Sequence, residues 1–109
     1  MEFYNNLRIS IVKQAVDDYV LTRKRIKELR DVDNAIERIF KEDMLRKNRR
    51  CYTYADAEQE RLQKIEVKEY ECAAILRFIR STWFKQLCGI DPEYLIRRLK
   101  EKCKKYDEV

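Results

Sequence analysis

The chain has 109 residues and a mass of 13.4 kDa, the size of one ordinary domain, and carries 25 Lys and Arg against 20 Asp and Glu. A single Gly and a single Pro cannot supply the fixed glycines of a P-loop or a dinucleotide-binding turn, or the many turns of a β-sandwich. The absence of histidine removes the base of Ser/His/Asp and Cys/His catalysis and the commonest zinc ligand. With 45% apolar residues a modest core can still form. The composition predicts an all-α protein: one domain over 1–109, a compact helical bundle of four main helices plus one short helix.

A first helix is predicted from about Phe3 to Arg30. Leu7, Ile11, Ala15, Tyr19, Thr22, Ile26 and Leu29 recur at steps of three and four, and Ile9, Val12, Val16 and Val20 form a second row beside them. Two rows wrap more of the circumference than a surface helix needs, so this helix is expected at the centre of the bundle or in a homodimer interface. Arg23, Lys24, Arg25, Lys27 and Arg30 then make its last turns basic, which suits the negative end of the helix dipole. The neighbouring acids Asp17 and Asp18 point about 100° apart on a helix and cannot form a carboxylate dyad.

Asp31 or Asp33 is placed to cap a second helix, with Ala35, Ile36, Ile39, Phe40 and Met44 on its apolar stripe and an end near Arg46. Residues 46–54 have no helical period and are read as an internal loop, in which Arg49, Arg50, Tyr52 and Tyr54 are candidate stacking contacts. The third helix is expected from Thr53 or Asp56 to about Arg80. Its seam reads Leu62, Ile65, Glu69, Cys72, Leu76, Ile79 and Trp83, beside a row of Val67, Tyr70, Ala74 and Phe78. Glu69 interrupts that seam and must reach solvent or meet a basic group, because an unpaired buried carboxylate is costly. Ser81-Thr82 caps a short helix, Trp83 to Cys88, which Gly89 closes. Asp91-Pro92-Glu93 starts a last helix that turns Leu95, Leu99, Cys103 and Tyr106 inward and Arg97, Arg98, Lys100, Lys104 and Lys105 outward.

Residues 61–109 hold 12 basic and 8 acidic groups, so most of the net charge of +5 lies in the second half. Arg77, Arg80, Ser81 and Lys85 surround the start of the short helix, and with Arg97 and Arg98 they form the candidate anion- or partner-binding set. The short helix and the last one have a helix-turn-helix layout, but Lys and Arg on the second suit phosphate contact better than base readout. Cys51, Cys72, Cys88 and Cys103 have neither CxxC spacing nor a secretory segment, and they read as reduced thiols in a cytoplasmic protein. No catalytic residues, metal site or cofactor are expected, and no apolar run is long enough to span a membrane.

The C-terminal stretch Phe78-Ile79-Arg80-Ser81-Thr82-Trp83-Phe84, followed by Asp91-Pro92-Glu93-Tyr94-Leu95 and Leu99, resembles a signature of small proteins encoded by phages and prophages of Gram-positive bacteria. Ala15-Val16-Asp17-Asp18-Tyr19 is similar to that family's opening helix, while 31–60 has no counterpart and Pro92 stands where other residues are common. The resemblance implies a viral accessory protein in a bacterial host cytoplasm and no particular chemistry. The resulting expectation is a non-enzymatic protein that antagonises a host process, such as a defence system, by binding a host protein or an anionic nucleotide. The alternative is a DNA- or RNA-binding transcriptional regulator that uses the basic C-terminal helix.

Overall fold

The computed structural model describes residues 2–47 and 53–107, and among them every element is helical. The order is α1 (Glu2–Arg30), α2 (Val32–Lys47), α3 (Tyr54–Ile79), α4 (Thr82–Cys88) and α5 (Pro92–Asp107). This is the expected all-α bundle of four main helices and one short one.

Local capping chemistry sets the boundaries. Asp31 opens α2: its carbonyl accepts from the Ala35 N–H at 2.9 Å, and its side chain accepts from Asn34. Thr53 and Asp56, the two alternative starts for α3, act together as a capping box: the Thr53 hydroxyl accepts from the Asp56 N–H, and the Asp56 carboxylate accepts from the Thr53 N–H at 2.9 Å. Thr53→Ala removes one half of the box, and denaturant unfolding is expected to show a loss of about 1 kcal/mol. Ser81 accepts from the Phe84 N–H, and Gly89 closes α4 at φ 65°, the left-handed region that glycine enters without strain. The Asp91 side chain accepts from the Glu93 N–H at the start of α5.

Helices extend into both ends of the loop expected over 46–54. Arg46 and Lys47 continue α2, and the capping box makes Tyr54 the first residue of α3. Arg49, Arg50, Cys51 and Tyr52 lie outside the described residues, as does the side chain of Met44.

The central position expected for α1 is observed: it packs against all four other helices. Most of its width is used: Ala15, Tyr19, Thr22 and Ile26 are buried and Val12, Val16 and Val20 are partly buried against the same core, whereas Leu7 and Ile9, also on the predicted rows, are 46% and 64% exposed near the start of the helix. α3 runs antiparallel to α1 and α5 runs parallel to it, so Cys72, Ile79, Ile96, Leu99 and Cys103 close the main core. α2 adds a smaller core at one end, where Ile36 and Ile39 meet Ala57.

Three basic side chains tie the bundle together by satisfying carbonyls at the C-terminal ends of other helices. Arg8 donates to the Cys88 carbonyl at 2.7 Å, Lys27 to the Lys105 carbonyl at 3.1 Å, and Arg61 to the Leu29 carbonyl at 3.0 Å. The last carbonyls of a helix have no intrahelical donor and carry partial negative charge, so a cation there answers both needs.

Two expectations for the α3 seam are corrected. Leu62 is 53% exposed and the neighbouring Arg61 is buried, because Arg61 is satisfied by Glu58 (Nε to Oε2, 2.9 Å) as well as by the Leu29 carbonyl. Trp83 is 55% exposed and Phe84 takes the core position, because Ser81 starts a new helix and resets the register after Ile79. Glu69 is half-exposed and meets Arg30 at 3.6 Å, one of its two expected fates.

Candidate functional site

The six-residue candidate set divides into two groups. Arg77, Arg80, Ser81 and Lys85 cluster at the α3–α4 junction, while Arg97 and Arg98 lie on exposed flanks of α5.

At the junction, a backbone donor and the central arginine are already engaged. The Phe84 N–H, which an anion at the start of α4 would use, is donated to Ser81 Oγ at 3.2 Å, and Arg80 Nε donates to Glu93 Oε1 at 2.9 Å, buckling the end of α3 to the start of α5. The hydrogen bond from Arg80, reinforced by the nearby charges of Lys100 and Arg97, holds the Glu93 carboxyl below its ordinary range. Arg77 lies over the Tyr70 ring, 5.5 Å from its centroid. Lys85 is exposed on the outer side of α4.

The last helix presents a more open surface. All three acids of α5 are matched by arginine: Glu93 by Arg80, Glu101 by Arg98 at 3.7 Å, and Asp107 by Arg23 at 3.9 Å. Arg97, Lys100, Lys102, Lys104 and Lys105 are exposed, and among the described residues none of them has a carboxylate within ion-pair distance. Five cations on one short helix therefore stand outside any ion pair among the described residues. Ile96, Leu99 and Cys103 bury the opposite face and fix the direction in which these charges point. Arg98 differs in being paired with Glu101; it lines a shallow cleft with Val16 of α1, Leu95 and Lys102.

Sequence reasoning missed two features of this surface. Lys102 belongs to the cationic face, and its flanking position could have been found on a helical wheel. Glu93 is the partner of Arg80, a pairing across thirteen positions that no local pattern signals. Tyr54 is exposed at the first turn of α3 and lies far in sequence from both groups.

The described thiols are structural. Cys72, Cys88 and Cys103 are free and buried, and burial pushes each thiol above its ordinary pKa. In a DTNB titration of the folded protein near pH 8, these three are expected to react far more slowly than in denaturant. Fast native labelling at Cys72 or Cys103 would contradict the packed core. Among the described residues no group of three or more His, Cys, Asp or Glu side chains could hold a metal ion, and no helix is long and apolar enough to cross a membrane.

Comparison of the chain with protein-family models, with curated proteins and with solved structures finds no match.

Proposed function

We propose that this is a non-enzymatic accessory protein of phage type that works in a bacterial host cytoplasm by docking on a host protein. The outer face of α5 is its contact surface, and the partner presents an acidic patch. The observation that carries this reading is the set of exposed cations Arg97, Lys100, Lys102, Lys104 and Lys105, which form no ion pair among the described residues, on a helix whose own acids are all matched by arginine. A fixed surface of one sign steers an oppositely charged partner and sets its orientation. The resemblance of the Ser-x-Trp-Phe and Asp-x-x-Tyr-Leu segments to phage proteins supports the setting, and host defence is the process we propose it antagonises.

A nucleotide ligand is less well supported. The cradle it would need at the α3–α4 junction has its Phe84 N–H capped by Ser81 and its central arginine on Glu93. Nucleic acid is the second reading, favoured by the α4–turn–α5 layout under a Lys- and Arg-rich face. Such a complex would rest on phosphate contacts, and its affinity would fall steeply with salt through counterion release.

The test is capture from nuclease-treated lysate of a Gram-positive host on immobilised protein, alongside gel shifts with DNA and RNA at two salt concentrations. A captured protein that elutes with salt, and no gel shift at micromolar protein, is the expected result. A salt-sensitive nucleic-acid complex with no captured protein would replace this reading with the second one.

A further inference from the structure

We propose that the host protein binds with an acidic amphipathic helix, whose apolar side chains seat in two clefts that follow one another along the flank of α1. The inference deepens the function proposed above and rests on it: it names the segment of the partner that meets this chain.

The second apolar row of α1 contributes to both clefts. Ile9 and Val12 line one of about 630 Å³, with Ile90, just beyond the end of α4, across from them. Val16, one turn on from Val12, lines a second of about 420 Å³ together with Leu95 and Leu99 of α5. Val12, Val16 and Leu95 are only partly buried against the main core, and Ile9 and Ile90 are 64% and 38% exposed. On a chain with 41% charged residues, apolar groups left open in line mark an interaction surface.

The spacing suits a helix. Ile9 and Val16 lie seven residues apart on α1, about 10 Å along its axis, which is also the separation of positions i and i+7 on a helix laid beside it. α1 bounds the two clefts on one side, and the α4–α5 connection and α5 bound them on the other. An apolar furrow of this kind takes a further helix through anchors on one face of it.

Charge selects an acidic occupant. Among the described residues, Arg8 and Lys13 line the first cleft and Arg98 and Lys102 the second, against the single carboxylate of Glu101. Arg98 already holds Glu101 at 3.7 Å, while Lys13 and Lys102 are exposed and form no ion pair among the described residues. The other two grooves have no such bias. Between α1, α2 and α3, Arg25, Arg38, Lys64 and Lys68 are set among Glu28, Glu42 and Glu60, and the groove between α1 and α3 carries Asp18 and no cation. Lys102 also belongs to the cationic face of α5, so a helix seated in the clefts brings its carboxylates to the edge of that face.

Fluorescence anisotropy tests the inference with two fluorescein-labelled synthetic peptides of the same acidic, helix-forming sequence, one with Leu at positions i and i+7 and its twin with Ser at both. The Leu peptide is expected to bind the wild-type chain at least about tenfold more tightly than the twin, through the apolar surface its leucines bury. Ile9→Ser with Ile90→Ser, both at exposed positions, is expected to bring the two peptides level, with circular dichroism matching the wild type. Lys13→Glu is expected to weaken both. Equal binding of the two peptides by the wild type would overturn the inference, as would no binding of either, or a Leu preference that survives the Ile9 and Ile90 changes. The reading of the α5 surface fails separately, because Arg97 and Lys104 line neither cleft. Lysate capture lost on reversing those two, beside equal binding of the peptides, removes the clefts and leaves the α5 surface standing.

Discussion

Replacing Phe84 by alanine is expected to remove about 3–5 kcal/mol of stability, the usual cost of deleting a fully packed aromatic side chain. Phe84 is wholly buried and meets Phe78 edge-on, with ring centroids 5.3 Å apart at 71°. Its helix spans only Thr82–Cys88, far too short to persist alone, so α4 is held by what it buries. Phe84 is the largest of those groups, and Cys88 with its Arg8-bound carbonyl is the other. A domain of this size has only about 5–15 kcal/mol in total, so the variant should be close to its unfolding threshold at room temperature. Gln86→Ala, on the exposed side of the same helix, should change stability by less than about 0.5 kcal/mol. Urea unfolding of the two variants measures the contrast, and a Phe84→Ala loss below about 1 kcal/mol would mean that α4 is not anchored as described.

The second large effect concerns binding. Reversing two exposed cations of α5 that form no ion pair among the described residues, Arg97→Glu with Lys104→Glu, should weaken capture of the proposed acidic partner by about 100-fold while leaving the fold intact. Both side chains are exposed, outside the face formed by Ile96, Leu99 and Cys103, so no packing is lost. Arg80→Glu is a poor substitute: Arg80 already holds Glu93, and its reversal would set two carboxylates against each other at the α3–α5 buckle. A loss of binding there would report damaged structure as readily as a lost contact.

Helix boundaries were legible in the sequence because capping is local chemistry. Thr53 with Asp56, Ser81, Gly89, and Asp91 before Pro92 each act within four residues, and each does in the structure what its side chain or backbone allows. The breadth of the α1 stripe was legible for a related reason: two apolar rows need partners on several sides, and α1 has them. The choice between adjacent residues was not legible. Arg61 is buried in place of Leu62 because the free carbonyl of Leu29, on another helix, lies within its reach. Phe84 is buried in place of Trp83 because the register restarts at Ser81. The candidate site divides along the same line. The cationic face of α5 follows from helical period alone, whereas the commitment of Arg80 to Glu93 depends on how two helix ends meet.

The most direct test of binding through α5 is side-by-side capture from nuclease-treated host lysate by the wild-type chain and by the Arg97→Glu, Lys104→Glu variant, with bound protein quantified by mass spectrometry. The expected result is one host protein enriched by the wild type and lost with the variant, whose circular dichroism matches the wild type. Equal enrichment by both proteins would contradict the assignment of α5 as the contact surface.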